Sequence, residues 1–145
     1  MWEETTNELC IKTILPEKIT TRDLHSLKGN ELVNDKIIFY YLNLLRIRDE
    51  KLGKKTFVFD TKFYPELKKT SVKSVVERWY NKTNVFQYEN ILIPIIYKSD
   101  SDKNNHWCLV TIDFNEKSMS YFNSFHTADY ECINLIRTYF CEKFH

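Results

Sequence analysis

His106 and Asn123 are the two residues whose types and spacing bear most directly on chemistry. His106 opens the apolar stretch Trp107-Cys108-Leu109-Val110-Thr111-Ile112-Asp113-Phe114, just after the polar run 99–105, and Asn123 closes the stretch Met119-Ser120-Tyr121-Phe122. Between them Asn115-Glu116-Lys117-Ser118 reads as the turn of a β-hairpin. In an antiparallel pair the start of one strand lies beside the end of its partner. Imidazole and amide are therefore expected at one end of the sheet, within hydrogen-bonding reach. An imidazole held in one tautomer by a side-chain oxygen is a general base with its orienting partner, the arrangement that activates a nucleophile. Both residues also have plainer uses. A histidine at a strand edge is more often structural or simply exposed, and an asparagine at a strand end is usually a turn former.

The thiols such a base would activate are Cys10, Cys108, Cys132 and Cys141. Cys108 should point into the sheet and Cys132 lies on the apolar face of a C-terminal helix, so both read as buried structural cysteines. Cys10 falls in a weakly patterned stretch and Cys141 at an expected frayed end. No CxxC or Cys/His cluster has metal-ligand spacing, so neither zinc nor another metal is expected. The N-terminus has no basic and apolar signal segment, which favours free thiols over disulfides.

The elements that must position these residues follow from pattern. The chain has no repeats or low-complexity tracts and reads as a single domain over 1–145, with residues 1–19 as an extended arm. Thr20 or Thr21 caps a short helical turn through Leu27, ended by Gly29. Asn34-Asp35 caps a helix that is apolar all round from Lys36 to Leu45 and is expected to be buried. Thr56 to Asp60 alternates around Phe57 and Phe59 as a short strand does. Lys62, Phe63 and Tyr64 read as contact residues or, preferred here, as its solvated end. Val72, Val75, Val76 and Trp79 have helical spacing. Ile91 to Tyr97 is a buried strand in which Pro94 calls for a bulge or an unpaired position. Ala128, Cys132, Leu135, Ile136 and Tyr139 mark the last helix. Helices at both ends of a run of strands make an α+β fold.

Composition removes several function classes. With 2 glycines in 145 residues, a Gly-rich phosphate loop is excluded almost by counting, and no cofactor is expected. A net charge of +1 with scattered lysines gives no reason for nucleic-acid or membrane binding. No apolar run approaches the ~20 residues of a membrane span.

Several segments, in order, resemble the SUMO/ubiquitin-like protease family of cysteine peptidases. His106-Trp107, with a strand ending in Ile112-Asp113 and then Tyr121-Phe122-Asn123-Ser124, is similar to the family's HW…D and YYDS-like stretches. Leu32-Val33-Asn34-Asp35 resembles its WLND motif, and Val76-Glu77-Arg78-Trp79 its V-x-R-W segment. Asn84-Val85-Phe86 before Ile91-Leu92-Ile93-Pro94-Ile95 resembles the entry to the central sheet. The resemblance covers about residues 15 to 143 and implies a papain-like α+β fold. It also implies an intracellular protein of nucleus or cytoplasm that cleaves after the C-terminal diglycine of SUMO or a relative. His106 would then be the general base and Asn123 its partner. Trp107 would cover the tunnel that only glycine can thread. Leu32, Asp35 and the Phe57 to Leu67 region would meet the modifier, in a chemistry compatible with SUMO, NEDD8 or ubiquitin.

The sequence departs from the family's pattern in three ways. No Cys-Gly pair and no suitably placed glutamine occur, so the family's nucleophile segment and its oxyanion donor are missing from these residues and none of the four cysteines is expected to replace the nucleophile. Asn123 stands where the family has an aspartate, with Asp113 matching a structural aspartate instead. Leu32 replaces a tryptophan and would remove one wall of the tunnel. The reading favoured at this level is an active protease whose C-terminal part lies outside the 145 residues. Alternatives are an inactive relative that binds a ubiquitin-like protein, and a sister branch of the fold such as acetyltransferase effectors.

Overall fold

The computed structural model describes residues 10–11, 15, 18–29, 32–97 and 105–144. Most of the expected N-terminal arm, and the polar loop up to Asn104, lie outside the described residues. Within the arm, Cys10–Ile11 (β1) pairs antiparallel with Ile19–Thr20 (β2).

Helix α1, Thr21–His25, starts on a capping box. The Asp23 amide donates to Thr20 Oγ1 at 3.3 Å and the Thr20 amide donates to Asp23 Oδ2 at 2.9 Å, so two otherwise orphaned donors are satisfied. Asp23 also meets Lys36 Nζ at 3.6 Å, and the Asn34 amide donates to Ser26 Oγ at 3.0 Å. These bonds fix the strip that leads into α2, Asp35–Lys51, whose N-cap is Asn34 as its residue type predicts.

The expectation of a buried α2 is corrected. Among its side chains only Leu42 is buried, and Tyr41 is 59% exposed. The helix lies against the sheet edge at β3 (Thr56–Val58), with lesser contacts to α1 and the next strand. Its aromatic and branched residues are therefore covered only partly. Its C-terminal turn is tied to β3 by Thr56 Oγ1, which donates to Asp49 Oδ2 at 2.7 Å. Burial raises the Asp49 pKa, but the Thr56 hydroxyl and the Arg48 guanidinium outweigh it and hold the carboxyl below its ordinary value. A depressed folded pKa contributes stability above the unfolded value of ~3.9, lost as pH falls through the folded one. Thr56→Val should thus cost ~1 kcal/mol at pH 7, and the difference should shrink at pH 3. Urea melts at the two pH values measure it, and an equal loss at both would assign the effect to packing instead.

A second correction concerns residues 62–64, which are not a strand end. They lead into helix α3, Phe63–Lys69, with Phe63, Tyr64 and Leu67 buried. Asp60 makes the turn: its Oδ1 accepts from the Lys62 amide at 2.8 Å and its carbonyl from the Phe63 amide at 3.0 Å. Pro65 sits in the first helical turn, where a missing N–H leaves no bond unmade. Helix α4, Val72–Arg78, follows on a Ser71 cap. A 3-10 turn at Val85–Gln87 then leads to β4, Asn90–Tyr97.

Strands β5, His106–Asp113, and β6, Ser118–Phe122, complete a sheet of order β3-β4-β5-β6. The first pair is parallel, joined by the α3–α4 crossover, and the others are antiparallel. Pro94 makes no bulge, because the register runs unbroken from Asn90↔Asp113 to Tyr97↔His106. The Phe59 amide donates to the Leu92 carbonyl at 2.9 Å, so Leu92 and, two residues on, Pro94 aim their backbone groups towards the β3 side. β3 has ended by then, and Pro94 occupies the unpaired position.

Helix α5, Tyr130–Phe144, closes the core. Its Cys132, Ile136, Tyr139 and Phe140 join Ile91, Ile93 and Ile95 of β4 and Cys108, Val110 and Ile112 of β5, together with Phe59, Phe63, Leu67 and Val75. Alternate burial along β5 shows one face turned to this core.

Candidate functional site

The hairpin brings His106 and Asn123 together as the pattern requires. His106 Nε2 lies 2.9 Å from Asn123 Oδ1 at the β4-C-terminal, β5-N-terminal end of the sheet. Phe125 stacks on the imidazole, with ring centroids 3.9 Å apart and planes inclined by 25°. Ser124 Oγ lies 3.4 Å from the same nitrogen. Asp113 is at the other end of β5, seven residues or about 23 Å away at the strand rise, and its Oδ1 accepts from the Glu116 amide in the hairpin turn at 2.9 Å. It cannot reach His106, and the side-chain oxygen beside the imidazole is that of Asn123.

Trp107 points to the opposite face from His106, as neighbours on a strand do. Its indole Nε1 donates to the Val33 carbonyl at 2.8 Å. This bond pins β5 to the strip before α2 and brings the Leu32–Asp35 strip and Trp107 into one open cleft of about 340 Å³, with Thr61, Lys62, Pro65 and Ile96 completing its lining. Leu32 remains 38% exposed. The sequence-derived candidates thus form two groups, a His106–Asn123 pair and a Leu32–Asp35–Trp107 cleft, joined through adjacent residues of β5. Thr61 and Pro65 fall within the Phe57 to Leu67 region to which the family resemblance pointed, whereas Ile96 was not singled out by sequence, because nothing in its type marks a binding role. Lys62, read there as solvated, reaches the cleft from the α3 turn.

The described thiols stand apart from the imidazole in chemistry or in place. Burial pushes the Cys132 thiol up to about 12 and raises that of Cys108. Cys141 is exposed but lines a groove with Asp113, Lys117 and Ser118, at the hairpin-turn end of the sheet. Among the described residues no group of His, Cys, Asp and Glu could hold a metal ion.

Residues 31–144 match the Ulp1 protease family, C-terminal catalytic domain. The chain belongs to this family. Similar Ulp1-family relatives include sentrin-specific protease 2 of Homo sapiens, 40% identical over 108 residues, which is 74% of this chain and 17% of that protein. The sentrin-specific protease of Caenorhabditis elegans is 30% identical over 124 residues, 84% of this chain and 17% of its own length. The chain spans about a sixth of the length of these relatives. A crystal structure of a de-sumoylating protease superposes with a TM-score of 0.74 at 19% identity, covering 94% of this chain and 56% of that one. It shares the α+β Ulp1-type fold. No helix among the described residues is long and apolar enough to cross a membrane.

Proposed function

We propose that residues 1–145 are a single domain of a SUMO-directed cysteine peptidase, in which His106 is the general base, Asn123 orients it, and the Leu32–Asp35–Trp107 cleft receives the C-terminal tail of the modifier. The observation that carries this is the 2.9 Å contact of His106 with Asn123, set next to a cleft whose wall is the following residue, Trp107. Family membership and the names of the sentrin-specific relatives supply the substrate class. The reaction is hydrolysis after a diglycine, both in maturation and in release from lysine. His106 takes the proton of a thiol and later returns it to the leaving amine. Glycine suits a narrow cleft because any Cβ would widen the chain that must pass.

A second reading draws on the thiols. Cys108 and Cys132 are buried, and Cys141 lies at the far end of the sheet from His106. On this reading none of these three, nor Cys10, is the nucleophile, and the 145 residues by themselves act as a binder of a ubiquitin-like protein.

Intact-mass measurement after incubation with SUMO, NEDD8 and ubiquitin carrying a C-terminal thiol-reactive electrophile tests whether the 145 residues hold a working thiol, and titration calorimetry of the unmodified proteins tests the modifier binding that both readings require. Binding of SUMO without an adduct is the expected result. An adduct would identify a working thiol among the four cysteines, and absence of binding to all three proteins would overturn both readings. Leu32→Trp should raise affinity for the bound modifier by restoring an aromatic wall. An unchanged affinity would remove Leu32 from the cleft's function.

A further inference from the structure

Asn123 makes four hydrogen bonds, and their chemistry admits one orientation of its amide. The backbone N–H of Phe125 can only donate, so the atom it meets at 2.9 Å is Oδ1. The Thr127 carbonyl can only accept, so the atom 3.0 Å from it is Nδ2, which also donates to Thr127 Oγ1 at 3.0 Å. With both ends of the amide fixed, Oδ1 faces His106 Nε2 at 2.9 Å, and that nitrogen must carry the proton. The neutral ring then keeps its lone pair on Nδ1.

The backbone supports this arrangement. The His126 amide donates to the Asn123 carbonyl at 3.1 Å, and His126 holds φ 57 in the left-handed region, which a non-glycine residue adopts at a cost. The turn brings Thr127 back beside the side chain that begins it.

We propose that Thr127 is a positioning residue: its carbonyl and hydroxyl oxygens hold Asn123 as an amide with Oδ1 towards His106, and so keep the imidazole in the Nε2–H form with Nδ1 as the basic nitrogen. The proposal rests on the reading of His106 as the base and adds what selects its tautomer. It also accounts for an amide at this position. A carboxylate would set an oxygen against the Thr127 carbonyl oxygen at about the present 3.0 Å, two acceptors facing each other with only the Thr127 hydroxyl to donate. Aspartate at residue 123 would stabilise an imidazolium through its charge but would lose the clamp that aligns it.

Nitrogen-15 NMR of the whole chain with labelled histidine tests this directly, with the His106 signals assigned by their loss in His106→Gln. Wild type should show the Nε2–H tautomer. Thr127→Val, at an exposed position where the fold should be unaffected, removes the hydroxyl acceptor but keeps the backbone carbonyl and the Phe125 N–H, so it should raise the Nδ1–H population measurably but modestly, and Thr127→Ser should restore the wild-type ratio. Asn123→Asp combined with Thr127→Val should disturb the ring signals more than either change alone. A wild-type ring in the Nδ1–H form, or Thr127→Val with an unaltered ratio, would overturn the proposal. The readout needs neither modifier nor nucleophile. Its failure therefore leaves the functional reading standing, and failure of modifier binding leaves the role of Thr127 standing.

Discussion

Phe63→Ala is expected to destabilise the chain by about 3–5 kcal/mol, enough to unfold many domains at room temperature. Phe63 is fully buried, with its ring 4.3 Å from Phe59 and 4.8 Å from Tyr139 between centroids. Truncation would leave a cavity between the sheet edge, α3 and α5, whose aromatic rings cannot collapse into it without abandoning their edge-on contacts. Lys62→Ala, one residue earlier and exposed, should change stability by no more than about 0.5 kcal/mol. Paired urea melts decide the matter, and equal effects of the two substitutions would refute the core placement of Phe63.

That pair of residues also shows where sequence reading reached and where it stopped. The hairpin was legible because β5 alternates and its turn is polar, and antiparallel geometry then placed His106 beside Asn123 without further information. The caps at Thr20 and Asn34 were legible for the same local reason, a side-chain oxygen next to orphaned amides. Helix α3 was not. Phe57 and Phe59 gave an alternation to which Phe63 and Tyr64 were attached as a strand end, although Asp60 makes a turn and a proline in the first helical turn permits a helix there. Helix α2 was read as buried because apolar residues surround it, yet how much of a helix the sheet covers depends on its position against that sheet, which composition does not record. The cleft needed the Trp107–Val33 hydrogen bond, a contact across 74 positions that no local pattern contains.

In the folded chain Cys132 is expected to react with a soluble alkylating agent at pH 7.5 roughly 10³-fold more slowly, or slower still, than in the urea-unfolded chain. A thiol at about 12 has a thiolate fraction on the order of 10⁻⁴ to 10⁻⁵ at that pH, against roughly a tenth for a free cysteine, and only the thiolate attacks. Burial adds a steric barrier to the same effect. Cys108, also buried, should follow it, while exposed Cys141 should be labelled in the native state. Peptide mapping by mass spectrometry reads all three sites. Native-state labelling of Cys132 at near the unfolded rate would mean its environment is open, and would return it to consideration as a partner for His106. Protection of both buried thiols would leave, of these three, only Cys141, at the hairpin-turn end of the sheet away from the imidazole.

The proline in β4 has a consequence for how this molecule meets copies of itself. β3 ends at Val58, so the outer half of β4 runs on past its neighbour. A strand that outruns its neighbour is a template on which a foreign chain can extend a sheet unless something covers it, and here α3 packs against β4 and Pro94 is fully buried. Pro94 presents no donor on that side, so the covered stretch has one backbone group fewer to satisfy. In the place where most sheets would lose a bond to a proline, this one loses none, and the stretch that could recruit another copy is closed by the chain's own helix.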